Sequence, residues 1–278
     1  MRTRFSLHSA MVYAVLLLAV LPVLFPIYYA VAGSIMHAGD LATYPPKLFP
    51  ERGLRLQNFT DVLDSVPLAK QYLNSTIQSG VITLFQLATS ILAGYAFAFL
   101  RIRGKSIVFG LFLATLMVPW EAIIIPNYLT ISDWRLASGP LTYAGLVLPF
   151  LASAFGTFLL RQSFLQFPSE LRDAAVVDGC GHMRFLLRVL LPLSKPAIAA
   201  VGVYVFLSAW NQYFWPLILI RDPQYQTLQI GVSQLNDAEA ADPGLILAGV
   251  VLSLLPTLAI VIFGQRYIVR GLTAGAVR

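Results

Sequence analysis

The chain predicts an all-α, polytopic membrane protein with six transmembrane helices, and three observations predict it. Of its 278 residues, 58% are hydrophobic and only 12% charged, about half the charged share of an ordinary soluble domain. Six apolar stretches reach the ~20 residues that a bilayer crossing needs. Basic residues gather on alternate sides of those stretches, as the positive-inside bias expects. Little chain is left between spans for a soluble domain, so 1–278 reads as a single transmembrane domain.

The stretches are Ala10–Gly33, Tyr72–Leu100, Ser106–Pro126, Leu141–Leu160, Ala197–Ile220 and Gly244–Tyr267. The first has Arg2 and Arg4 before it and Ala30-Val31-Ala32 after it, which imitates a signal peptide and its cleavage site. Its apolar run exceeds the ~7–15 residues of a signal core, so it is expected as a retained helix. With the N-terminus inside, 13 of the 19 Lys and Arg fall on the cytoplasmic side and 10 of the 13 acidic residues outside. The expected location is therefore the cell (inner or plasma) membrane, multi-pass, with both termini in the cytoplasm. This one-sided charge also explains a pI near 9.5 without nucleic acid.

Between the fourth and fifth spans lies a compact polar insert, 168–196, expected on the cytoplasmic side. Pro168 and Ser169 can start a short helix, with Glu170 in its first turn. Gly179 and Gly181 supply the backbone freedom that ends it and turns the chain. Phe185, Leu186 and Val189 give a second short helix an apolar stripe, and Pro192 and Pro196 close the segment. Ala174 and Ala175 have side chains small enough for a partner surface to approach the backbone. Two readings stand on these residues alone: a docking module, or an amphipathic loop lying on the membrane.

Candidate path residues come from polar groups inside the spans. Tyr204, Ser208, Asn211 and Trp215 recur at i, i+4, i+7 and i+11, one face of a continuous helix. Amides and hydroxyls beside aromatic faces suit a sugar, but Ser208 and Asn211 equally serve as hydrogen-bonding glue between helices. Glu121, near the outer end of the third span, either lines the path or marks the boundary. Gln86 in the second span reads as packing. The outer loop Arg221–Pro243, with Asp222, Asp237, Glu239 and Asp242, reads either as a docking surface or as a solvated connection.

No catalytic or metal chemistry is visible. The lone Cys180 cannot form an internal disulfide, and no Cys/His cluster has metal-ligand spacing. His8, His37 and His182 lie outside the spans, which argues against an intramembrane hydrolase. No Gly-x-x-x-x-Gly-Lys-Ser/Thr loop is present, so this chain carries no nucleotide site of that kind. The alternative function, an ATP-independent secondary transporter, usually shows an inverted repeat, and none is visible.

Asp173-Ala174-Ala175, Asp178-Gly179, Phe185, Leu191-Pro192 and Pro196 resemble the EAA loop of binding-protein-dependent type I ABC importers. That pattern runs Glu-Ala-Ala, three residues, Gly, and about a dozen residues to Leu-Pro; Asp173 stands here in place of Glu. The run Trp210-Asn211-Gln212-Tyr213-Phe214-Trp215-Pro216-Leu217 resembles the fifth helix of the carbohydrate subfamily. The end of the chain, Arg270-Gly271-Leu272-Thr273-Ala274-Gly275-Ala276-Val277, resembles its C-terminal tail. The whole chain is similar to the six-helix permeases for maltose, trehalose-type sugars and glycerol 3-phosphate.

The resemblance implies a non-catalytic permease subunit that forms half of the translocation path for a sugar or glycerol-phosphate-type solute. Its implied partners are a second, homologous permease, two ATP-binding subunits and an extracytoplasmic solute-binding protein. ATP-Mg would sit in the ATPase subunits and no cofactor in this chain. The 168–196 insert would be the coupling helix, with Asp173, Ala174, Ala175, Asp178, Gly179 and Phe185 as its ATPase-coupling residues. Part of the outer loop would reach toward the solute site, and Thr273 to Val277 of the tail 268–278 would contact the ATPase dimer interface. In the maltose-type relatives the other permease holds the substrate, which favours the glue reading of Ser208 and Asn211.

Overall fold

The computed structural model describes residues 7–236 and 242–273, and among these every regular element is helical. In chain order the α-helices are α1 (Leu7–Ser34), α2 (Ala38–Leu41), α3 (Gln57–Ser65), α4 (Leu68–Phe99), α5 (Lys105–Ala114), α6 (Trp120–Asp133), α7 (Thr142–Val147) and α8 (Ala154–Leu165). There follow α9 (Ser169–Val177), α10 (His182–Phe185), α11 (Leu191–Leu193), α12 (Lys195–Trp210), α13 (Phe214–Leu219), α14 (Leu228–Gln234) and α15 (Pro243–Thr273). A π-helical turn, Leu186–Leu190, joins α10 to α11.

Three helices are long and apolar enough to cross a membrane by themselves: Met11–Ser34 of α1, all of α4, and Pro243–Gln265 of α15. Three bent pairs meet the same test together: Lys105–Met117 with Trp120–Asp133 at 95°, Gly139–Phe150 with Ala154–Leu165 at 51°, and His182–Leu193 with Lys195–Trp210 at 81°. Six spans result when each pair counts as one.

The breaks correct three expected spans. The third is not one helix over Ser106–Pro126. Val118 precedes Pro119 and is extended at φ −82°, ψ 113°, as the proline ring requires of the residue before it. The fourth breaks before Ser153, whose Oγ accepts the Gly156 N–H at 3.1 Å and caps α8. The fifth does not run to Ile220. It stops at Trp210, because Pro216 lacks an N–H and its ring would collide with the Gln212 carbonyl of a continued helix. In contrast α15 outruns its expected end at Tyr267 and remains helical to Thr273, since extending an existing helix adds a bond per residue without a new nucleus. The rest of the tail, 274–278, lies outside the described residues, as do Asp237 and Glu239 of the outer loop.

The described residues form two compact units. One takes the residues up to Leu68 together with Gly231–Leu255. Its α1 exposes apolar side chains from Met11 to Tyr28, a wall suited to lipid or another apolar surface. The end of α1 is capped by the buried Asn58, whose Nδ2 donates to the Ser34 and Met36 carbonyls at 3.0 and 2.9 Å. Arg55 bridges Asp61 and Asp242 at 3.1 and 3.0 Å.

The other unit takes Ala69–Ile230 and the described residues from Pro256 on. Its core gathers Ile82, Leu146, Leu160, Phe164, Leu186, Leu190, Trp215 and Leu219. Helices α4 and α8 approach closely through small residues: a Cβ on Gly94 would lie 3.2 Å from the Arg161 nitrogen, and one on Gly156 only 2.6 Å from Ser90 Oγ. The long α4 also serves the broken helices. Gln86 Nε2 donates to the Phe150 carbonyl at 2.7 Å and Thr89 Oγ1 to the Leu151 carbonyl at 3.0 Å, at the gap before α8. Replacing both, Gln86→Leu with Thr89→Val, is expected to lower the thermal stability of the detergent-solubilised protein by about 1–3 kcal/mol, at roughly 0.6–1.7 per intramembrane hydrogen bond. An unchanged melting curve would show that the gap does not depend on them.

Candidate functional site

The 168–196 segment keeps the two-helix form its sequence suggests, and its side chains divide sharply between inside and outside. Ala175, Phe185, Leu186 and Leu190 are buried in this chain's own core. Asp173, Ala174, Asp178 and Gly179 are exposed, together with Val176 at 62% and Val177 at 87%. Of the six residues assigned to coupling, Ala175 and Phe185 therefore hold the segment in place, while the other four lie on its surface. Small, apolar and acidic groups share that surface, a mixture suited to a complementary protein.

The turn after α9 is built from backbone bonds. Asp178 N–H donates to the Ala174 carbonyl at 2.9 Å, Gly179 N–H to Val176 at 3.0 Å, and Cys180 N–H to Ala175 at 2.8 Å. Gly179 has φ 72°, the left-handed conformation that ends helices. A Cβ there would meet nothing within 4 Å, so the demand for glycine is conformational and not steric.

An aromatic cluster ties this segment to the end of α4. Tyr95 Oη and His182 Nδ1 are hydrogen-bonded at 2.8 Å. The Tyr95 ring packs on Phe99 and Phe185 with centroids 5.3 and 6.5 Å apart. Phe185 also meets Phe99 edge-on at 5.8 Å and Phe167 at 6.1 Å, and the Arg172 guanidinium lies over Phe99 at 5.4 Å. Sequence reasoning missed Tyr95 and His182 because they are 87 residues apart and neither belongs to a motif.

The structure keeps only part of the expected path face together. Tyr204, Ser208 and Asn211 are all exposed along α12 and its C-cap. Trp215 leaves that face: it lies beyond the break, 1% exposed, against Trp120 and Phe150 at 5.8 and 6.3 Å. Asn211 Nδ2 donates to the Leu207 carbonyl at 2.8 Å, and Gln229 Nε2 reaches Asn211 Oδ1 at 3.5 Å. Glu121 is exposed in the first turn of α6, where the positive end of the helix dipole favours a carboxylate. Among the described residues no group of His, Cys, Asp and Glu could hold a metal ion.

Two changes probe the segment. Gly179→Ala is expected to destabilise it by about 1–2 kcal/mol, the cost of a left-handed non-glycine residue. Tyr95→Phe keeps the ring but loses the bond to His182, worth about 0.5–1.5 kcal/mol. It should speed maleimide labelling of the half-buried Cys180, the chain's only thiol, by about two- to tenfold. Equal labelling rates would mean that the hydrogen bond does not hold the segment down.

Comparison with known proteins agrees with this architecture. The chain is 36% identical over 267 residues to the sn-glycerol-3-phosphate transport system permease protein UgpE of Rhizobium meliloti strain 1021, covering 92% of this chain and 93% of that protein. It is 35% identical over 267 residues to the protein of the same name from Brucella abortus strain 2308, covering 93% of each. In fold it is similar to a chain of a bacterial ABC transporter involved in import of the acidic polysaccharide alginate, with TM-score 0.80, 24% identity, and coverage of 96% and 99%. A second alginate ABC transporter structure, in complex with an alginate pentasaccharide-bound periplasmic protein, gives TM-score 0.69 at 16% identity, covering 93% and 94%. The family of binding-protein-dependent transport system inner membrane components matches residues 86–274. That match spans most of the chain, from the middle of α4 past the end of α15, so the protein belongs to this family and is a non-catalytic permease subunit of an ABC importer.

Proposed function

We propose that the permease supplies one half of the path for a sugar or glycerol-phosphate-type solute, driven by two ATPase subunits and fed by an extracytoplasmic binding protein. A second, homologous permease supplies the other half, and both termini of this chain lie in the cytoplasm. The observation that carries the reading is the exposed surface of α9 and its turn, where Asp173, Ala174, Val176, Val177, Asp178 and Gly179 project from a segment anchored by Ala175 and Phe185. That surface is the coupling contact: closure of the ATP-Mg-bound ATPase dimer moves it, and the spans rock with it. Tyr204, Ser208 and Asn211 offer the solute one polar and aromatic face. The names of the relatives support a glycerol phosphate as the first solute to test.

The coupling contact is tested on the assembled importer. Gly179→Leu should still insert but lose ATPase association or solute-stimulated hydrolysis, because a left-handed leucine reshapes the turn. Asp173→Ala should cost less, since one exposed ion pair is worth about 0–1 kcal/mol. Normal assembly and transport by Gly179→Leu would remove the coupling assignment. The solute class is tested separately by calorimetry on the cognate binding protein with sn-glycerol 3-phosphate and maltose. Binding of neither would leave the permease assignment standing and overturn the solute class.

Truncation after Leu272 removes the tail expected at the ATPase interface. The shortened importer should insert normally and show lower coupled ATPase activity. Unchanged activity would reduce the tail to a frayed end.

A further inference from the structure

A small basic cavity lies where α6 ends. The chain leaves Asp133 and turns through Arg135, a non-glycine residue at φ 57°. Glycine or asparagine would take that conformation at less cost, and strain of this kind persists where the surroundings hold it. The turn and Arg221, two residues past α13, border a pocket of about 180 Å³ lined by Ser132, Arg135, Ala137, Ser138 and Arg221. Two arginines and the exposed Ser138 thus line one opening, on a face where the sequence otherwise places few basic residues.

Among the described residues no carboxylate pairs with them: none of the ion pairs involves Arg135 or Arg221. Arg221 Nη2 donates to Tyr128 Oη at 3.0 Å, a neutral acceptor. The adjacent Asp222 is engaged elsewhere, accepting from the Gln224 backbone N–H at 3.0 Å and from Gln224 Nε2 at 2.5 Å. The backbone bond chiefly holds its carboxyl below the usual carboxylate range. Two guanidiniums with free donors match an oxyanion that accepts several hydrogen bonds.

Size and place narrow the anion. The cavity is smaller than the ~300–1,000 Å³ of ordinary small-molecule sites, so it suits a single charged group and not an oligosaccharide. Ile125, Leu129 and Ser132 stand at i, i+4 and i+7, so one side of α6 leads from an apolar wall to the cavity. Ile125 is 59% and Leu129 56% exposed. Trp134, 60% exposed beside the cavity, is a residue type that favours the headgroup level of a bilayer. We propose that Arg135 and Arg221 hold the phosphate of a phospholipid headgroup, with an acyl chain along Ile125 and Leu129. The inference needs only that the chain is embedded in a membrane and does not depend on the coupling or solute assignments.

Phenylglyoxal footprinting of the purified importer, read arginine by arginine by mass spectrometry, tests it. Micelles doped with phosphatidylglycerol should slow modification of Arg135 and Arg221 by about tenfold relative to micelles doped with an uncharged galactolipid, as expected for several charge-assisted hydrogen bonds. Ser138→Asp places a carboxylate at the exposed lip of the cavity and should abolish the slowing while the other arginines keep their rates. Equal rates in the two lipids would overturn the site. Equal slowing by inorganic phosphate without phosphatidylglycerol would overturn the lipid as the source. Protection only by the docked binding protein would overturn it in favour of an acidic protein side chain. Persistence of the full slowing in Ser138→Asp would place the protecting lipid elsewhere.

Discussion

Within hydrocarbon, an unpaired backbone N–H or carbonyl costs several kcal/mol, so a span that breaks must find its missing partners in the protein. Three of the six spans here are bent pairs, and the unbroken helix α4 supplies partners at one of the breaks and to the chain beyond α13. Its buried polar residues Gln71, Asn74, Ser75, Gln78 and Ser79 recur at helical spacing along one stripe, and Gln86, Thr89 and Ser90 continue polar positions toward its C-terminal end. Asn74 Nδ2 donates to the Gln224 and Gln226 carbonyls at 3.0 and 2.8 Å and receives the Tyr143 hydroxyl on Oδ1 at 2.6 Å. Ser75 Oγ accepts the Leu228 N–H at 2.8 Å, and Gln78 Nε2 donates to Gln212 Oε1 at 2.7 Å.

This division of labour explains why polar residues can be so frequent in an apolar helix. Each would be costly facing lipid. Turned into the protein, Gln86 and Thr89 bind carbonyls at the gap before α8, and Asn74 and Ser75 bind backbone groups of the chain between α13 and the start of α14. The same logic holds at the other end of α4, where Lys105 Nζ donates to the Leu100 carbonyl at 3.1 Å and Arg161 Nε to the Phe97 carbonyl at 3.3 Å. Gln86 is accordingly a packing residue in a specific sense, a donor to the backbone of the fourth span.

What the sequence revealed follows from which forces are local. Hydropathy located the six spans because each apolar run is contiguous, and the short 168–196 helices were visible because Pro168, Gly179 and Gly181 punctuate them locally. The breaks were not, since a proline inside an apolar run can be absorbed or can end a helix. Pro22 and Pro26 remain inside α1 and Pro256 inside α15, whereas Pro119 lies at a 95° bend. Tertiary packing decides between these outcomes. The misplacement of Trp215 has this cause: an i+11 relation holds only if the helix continues, and it stops at Trp210. Ala174 and Ala175 look alike in sequence, yet the helix's rotational setting exposes one and buries the other.

The position of α4 also gives the permease a physical connection along its length. The helix has 32 residues, about 48 Å at 1.5 Å per residue. Near its end, Tyr95 and Phe99 grip the 168–196 segment through His182 and Phe185. Near its start, Asn74, Ser75 and Gln78 grip the chain from Gln212 to Leu228. Helix α4 contains no proline, but Ser79-Gly80 lies within it, a pair of the kind at which a long helix can bend. Of the three breaks, the one before α8 is where α4 holds loose backbone ends, through Gln86 and Thr89.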